Sequence, residues 1–194
     1  MKRLGILASH RGTNFQAILD ASDDGRLKAK VVIAISNNSQ SEALARAKRA
    51  GIETLHISSL THPSDSAQDK AIQLALSTAE VDLVVTAGYM KKLGPETLAT
   101  YKQRIINIHP SLLPNYGGQG MYGSKVHEAV LNNGDTETGL TVHFVDSEYD
   151  TGAILSQRSV PVLADDTAIT LASRVLAEEH SLLVQTLIGL VEDD

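Results

Sequence analysis

The first half of the chain alternates between two apolar patterns. LGILAS (4–9), KVVIAIS (30–36), ETLHIS (53–58), VDLVVTAG (81–88) and RIINIH (104–109) are short runs with little polar interruption. Continuous Val, Ile and Leu, rather than strict alternation, predicts strands of a parallel sheet covered on both faces. Between them, apolar residues recur at helical spacing, as with Phe15, Ile18 and Leu19 in NFQAILDASDDG (14–25). Helices are expected over 14–25, 41–51 and about 67–79, the second stopped by Gly51 as a C-terminal cap. Repeated strand–helix–strand spacing predicts an α/β, doubly wound, mostly parallel sheet with helices on both faces.

The second half reads differently. NYGGQGMYGSK (115–125) is a glycine-rich loop, and VHEAVLNNGD (126–135) is a short helix ending at Asn133-Gly134. In TGLTVHFVD (138–146), Leu140, Val142 and Phe144 alternate with Thr141, His143 and Val145, which predicts a strand with unlike faces. AILSQRSVPV (153–162) reads as its partner, the two forming an antiparallel pair at one side of the sheet. A long helix over about 167–191 completes the elements. On it Ile169, Ala172, Leu176, Leu183 and Leu187 form an apolar stripe, and Glu179 falls inside that stripe. A carboxylate there is costly unless paired, so Glu179 meets Arg174 or another base, or borders a polar site.

Composition narrows the function classes. The 194 residues fit one domain with a sizeable core. A net charge of −6 and 4% aromatics without Trp disfavour nucleic acid as a partner. The absence of cysteine removes disulfides, thiolate nucleophiles and Cys-based zinc sites, and suits a reducing, cytoplasmic setting. No segment reaches the apolar length of a membrane span, and the N-terminal apolar stretch reads as a strand rather than a leader. Asn37-Asn38-Ser39 matches the glycosylation acceptor pattern, which is inert in a cytosolic protein.

Candidate chemistry gathers where predicted strands end. SHRGTN (9–14) joins the first strand to a helix: Gly12 permits a tight turn, and Thr13 and Asn14 can cap the helix. The loop is either an ordinary cap or an anion cradle, and it matches neither dinucleotide nor P-loop patterns. Asn107 and His109, two apart at the end of the fifth run, point to the same side. Asn can donate to an oxyanion and His can exchange a proton near neutral pH, while Pro110 and Pro114 restrict the loop. A hydrogen-bonded loop histidine is the simpler reading. VDSEYDTG (145–152) brings Asp146, Glu148 and Asp150 into one turn. It is either a solvated acidic turn or the source of a carboxylate that raises the pKa of His109. His109, His127 and His143 lack the spacing of a metal site.

Taken together, these segments resemble the phosphoribosylglycinamide formyltransferase family. The carriers are SHRGTNFQAI (9–18), AGYMKKL (87–93), NIHPSLLP (107–114), GLTVHFVDSEYDTG (139–152) and RVLAEEH (174–180), so the resemblance runs from residue 1 to about 190. NIHPSLLP is shared among formyltetrahydrofolate enzymes, whereas the Gly-Thr-Asn loop and the Glu-Glu-His stretch point to the glycinamide ribonucleotide branch. The resemblance implies a formyltransferase fold in one domain, 1–194. It also implies formyl transfer from 10-formyltetrahydrofolate to glycinamide ribonucleotide, both small molecules, without a metal. Gly12, Thr13 and Asn14 would hold the substrate phosphate, and Glu179 would contact the same substrate. Met90, Lys91, Lys92 and Leu93, with Asn107 and the turn from Asp146 to Asp150, would line the folate pocket. Asn107, His109 and Asp150 would be catalytic: Asn107 and a protonated His109 would stabilise a tetrahedral intermediate, and Asp150 would keep His109 cationic. Two departures stand out, Lys91 where the family often has Arg, and a loop over 117–125 longer than in some relatives.

Overall fold

The computed structural model describes residues 1–192. Its strands are β1 (Lys2–Leu7), β2 (Ala29–Ser36), β3 (Glu53–His56), β4 (Leu83–Thr86), β5 (Ile105–His109), β6 (Glu137–Phe144) and β7 (Ile154–Pro161). Its helices are α1 (Thr13–Asp23), α2 (Glu42–Arg49), α3 (Asp65–Thr78), α4 (Pro95–Thr100), α5 (Ser124–Asn133) and α6 (Ala168–Glu192). They form one seven-stranded sheet in the order β3-β2-β1-β4-β5-β6-β7. β1 to β5 run parallel, and β6 is antiparallel to both β5 and β7. The mixed architecture, with its antiparallel pair at one side, is the one the apolar pattern predicts.

The alternation of side chains along β1 builds two cores at once. Leu4 and Ile6 join Phe15 and Ile18 of α1 and Leu171, Val175 and Leu183 of α6 on one face. Leu7 joins Ile72 and Leu76 of α3 on the other. Gly5 lets α3 approach: a Cβ there would lie 2.6 Å from Leu76 Cδ2. The strand order reverses beside β1, whose neighbours are β2 and β4, so the loops leaving the carboxyl ends of β1 and β4 diverge and open a crevice.

Three details differ from the pattern-based expectation. Thr13 and Asn14 do not cap α1; Gly12 occupies the cap position with φ 65°, without a side-chain bond. The α6 stripe is rotated. Ile169 is 80% exposed, and the buried line runs through Leu171, Val175, Glu179, Leu182, Leu183 and Leu187. α6 carries apolar residues on several faces, so periodicity alone leaves its phase ambiguous, though it places Glu179 on the buried side. Finally, α4 was not anticipated. It is six residues long, and its first N–H groups are satisfied by another element: Asp69 of α3 accepts from Glu96 N (2.8 Å) and from Thr97 N (3.0 Å).

Candidate active site

β5 delivers two polar side chains to its carboxyl end. Asn107 lies opposite His143 of β6, and His109 lies opposite Thr141. Both ends of the Asn107 amide are held. Thr86 Oγ1 at the end of β4 donates to Asn107 Oδ1 at 2.8 Å, and Asn107 Nδ2 lies 3.2 Å from His143 Nε2. His143 Nδ1 lies 2.8 Å from the Phe144 carbonyl, an obligate acceptor, so Nδ1 carries the proton and Nε2 receives the Asn107 N–H. The second N–H of Asn107 remains for a ligand.

His109 is fixed in a comparable way. Its Nε2 donates to the Tyr116 carbonyl at 2.8 Å, leaving Nδ1 to face Asp150 Oδ2 at 3.6 Å. That separation is beyond a direct hydrogen bond. Asp150 sits at φ 59° and accepts from Gly118 N at 2.9 Å, and its other oxygen lies 3.5 Å from His143 Nε2. Burial raises the Asp150 carboxyl, but the Gly118 N–H and the neighbouring imidazoles of His143 and His109, in their protonated forms, outweigh it and hold its pKa below the usual range. Asp150 raises the His109 pKa, as expected of a neighbouring carboxylate, and the Tyr116 carbonyl adds to it, but burial is the larger influence and leaves the His109 pKa below its ordinary value.

On the far side of the cleft, Glu179 meets neither Arg174 nor, among the described residues, any other base. Arg174 pairs with Asp166 at 2.6 Å, and Asn14 Nδ2 donates to Glu179 Oε2 at 2.7 Å. Burial, only partly offset by that bond, pushes the Glu179 pKa up to about 7. Asn14 Oδ1 is buried without a hydrogen-bond partner. Gly12 and Thr13 stand just before it, and Gly12 is pressed so close to α2 that a Cβ would lie 2.8 Å from that of Ala43.

A cavity of about 550 Å³ unites these groups. Its lining includes Asn14, Glu179, Thr86, Asn107, His109, His143, Asp146 and Asp150, together with Met90, Lys91, Lys92 and Leu93. Lys92 reaches Glu148 across the mouth at 3.4 Å. Size and mixed lining suit a drug-sized organic ligand. Every residue to which the family resemblance gives a site role lines this cavity except Gly12 and Thr13, which directly precede Asn14. Thr86 carries no signal in the sequence as a contributor. Thr141 and His143 share a face of β6 that the sequence leaves open between cleft and solvent; it is buried, at 0% and 2% exposure, and His143 lines the cavity. His127 is buried with its Nδ1 unpartnered, and among the described residues no group of three or more His, Cys, Asp or Glu could hold a metal ion. Nor is any helix among them long and apolar enough to cross a membrane.

Comparison with known proteins gives the same outline. Residues 2–187 match the model of a family described as formyl transferase. The chain is 42% identical over 192 residues to a chloroplastic phosphoribosylglycinamide formyltransferase of Vigna unguiculata, covering 99% of this chain and 62% of that protein. It is 38% identical to the phosphoribosylglycinamide formyltransferase of Haemophilus influenzae, covering 94% of this chain and 84% of the relative. A crystal structure of glycinamide ribonucleotide transformylase 1 from Symbiobacterium toebii superposes with a TM-score of 0.94 at 40% identity, over 100% of this chain and 89% of that one.

Proposed function

The chain belongs to the formyl transferase family, and on that premise we propose that it transfers the formyl group of 10-formyltetrahydrofolate to the amine of glycinamide ribonucleotide. The reading places it in de novo purine biosynthesis, in the cytoplasm, with residues 1–194 acting as one domain. The folate is consumed as a second substrate rather than held as a resident cofactor. One observation carries the reading: Asn107, His109, His143 and Asp150 converge in a cavity shared with Asn14 and Glu179 on one side and residues 88–93 on the other.

The loop at Gly12, Thr13 and Asn14 receives the substrate phosphate on the N–H groups of the first turn of α1. Glu179, oriented by Asn14, takes hydroxyl donors of the same substrate. The loop 88–93, with Asp146, lines the folate side through Met90, Lys91, Lys92 and Leu93. At the reacting centre, His109 Nδ1 and Asp150 Oδ2 are two acceptors 3.6 Å apart. A group that satisfies both is a donor such as a primary amine. The amine nitrogen forms a bond to the formyl carbon, and the carbonyl π pair moves onto oxygen. Asn107 donates its second N–H to that oxyanion. His109, neutral at rest, accepts the amine proton at Nδ1, and the resulting imidazolium is stabilised by Asp150 and adds its charge to the oxyanion. The proton then passes to the departing folate nitrogen as its bond to the formyl carbon breaks and the carbonyl re-forms.

The test is an absorbance assay for tetrahydrofolate formation with both substrates present. Product should appear only when glycinamide ribonucleotide is added; release of formate without it would make the protein a deformylase instead. Asp150→Asn and His109→Ala should each lower kcat by at least about 10². Near-normal turnover in either variant removes that residue from the mechanism.

A further inference from the structure

Two loops border the cavity, and they are attached to the fold very differently. The loop 9–12 after β1 is held several times over. Asn38 Nδ2 donates to the Ser9 carbonyl, Ala43 N to the His10 carbonyl, and Arg46 Nε to the Arg11 carbonyl. The loop 88–93 after β4 is not. Among the described residues, the backbone of residues 89–93 makes a single hydrogen bond, from Met90 N to Ser9 Oγ at 2.7 Å. Below it, Leu93 is anchored only by packing into the second core.

Ser9 uses all of its polar groups. Its N–H donates to the Gly88 carbonyl at 3.0 Å, and its hydroxyl donates to Asn37 Oδ1 at 2.5 Å while accepting from Met90. At 1% exposure it has no water to substitute for any of them. Asn37 lies outside the cavity, beyond the end of β2. By taking the hydroxyl proton it turns the Ser9 lone pairs towards Met90 N–H.

We propose that Ser9 is a positioning residue for the 88–93 wall of the cavity, with Asn37 setting the direction of its hydroxyl, so that the pair governs affinity for the folate but not for the ribonucleotide. The proposal rests on the reading that this wall faces the folate. The asymmetry of attachment supplies the selectivity: loss of the hydroxyl removes the one backbone bond of residues 89–93 at Met90, leaving side-chain packing of Tyr89 and Leu93 to hold them, while the loop 9–12 keeps its three other anchors.

Calorimetric titration of the full chain with tetrahydrofolate, and separately with glycinamide ribonucleotide, tests it. Ser9→Ala should weaken tetrahydrofolate binding about tenfold, the scale of one buried hydrogen bond, and change ribonucleotide binding less than about twofold. Asn37→Leu should move in the same direction, and Asn37→Asp, which keeps an acceptor oxygen, should restore affinity. Amide hydrogen exchange at Met90 should quicken in Ser9→Ala and Asn37→Leu and stay slow in Asn37→Asp. Should Ser9→Ala fail to fold, the two Asn37 variants decide. Equal weakening of both ligands, or none, with the wild type binding both, overturns the positioning role alone. A wild type that ignores tetrahydrofolate overturns the functional reading as well.

Discussion

The Asn107 amide can serve an oxyanion only if its N–H direction is set before substrate arrives, since preorganised donors owe their effect to not having to reorient. Thr86 and His143 set it by holding opposite ends of the amide. Thr86→Val keeps the shape of the side chain and deletes the hydroxyl. It should lower kcat about tenfold with little change in either KM, as measured by steady-state kinetics. His143→Ala removes the acceptor that fixes the amide nitrogen and should lower kcat more, on the order of 10². If Thr86→Val raised KM while sparing kcat, Asn107 would be a binding group rather than a transition-state donor. Asn107 and His109 stood out because an apolar run gives way to a loop there, whereas only the family resemblance picked Asp150 from the three acids of its turn. Thr86 did not stand out, because a lone Thr at the end of a Val-rich strand is ordinary β composition.

At the scale of elements, the turn carrying Asp150 depends on how closely it can lie on β6. Gly152 is the contact: a Cβ there would stand 1.8 Å from the Phe144 carbonyl oxygen. Gly152→Ala must therefore push the turn outward and carry Asp150 away from Gly118 N and the two imidazoles. It should cost about 2 kcal/mol, roughly 4–8 °C in Tm, together with most of the activity. Thermal melts alongside turnover check this; a variant as stable and active as the parent would mean that the turn does not set the position of Asp150. The strands, and five of the six helices, were readable because their signals are local, being periodicity, glycine stops and apolar runs. α4 was missed because its local signal, Pro95 and Glu96 in the first turn, introduces only six residues and its cap comes from another element. Its cap is the Asp69 carboxylate, packed so tightly against Gly94 that a Cβ there would lie 2.4 Å from Oδ2. The phase of α6 was unreadable for the opposite reason, an excess of apolar residues.

Across the whole molecule, buried titratable groups pull stability in opposite directions over one pH range. The Glu179 pKa rises from 4.5 to about 7 through burial. Over that window the native state holds a proton that the unfolded chain has released, so this group makes stability fall as pH rises. His109, His127 and His180 are all pushed below 6.5, with burial as the leading cause. There the unfolded chain holds protons that the native state lacks, so these rings make stability rise with pH up to about 6.5. Asp150, held below 3.8, acts only in acid, where its contribution is lost as pH falls. Wild-type stability should therefore carry opposing slopes between about pH 4.5 and 6.5, and Glu179→Gln should expose the histidine slope. The variant should match the wild type near pH 4.5 and exceed it by up to about 3 kcal/mol at pH 8, while losing affinity for the ribonucleotide. Urea unfolding of both proteins at pH 5, 6.5 and 8 measures the difference. If the gap between them does not widen with pH, Glu179 carries no burial cost. If it widens, the site retains a carboxylate at the expense of the fold, as expected where a buried charge is kept for a ligand.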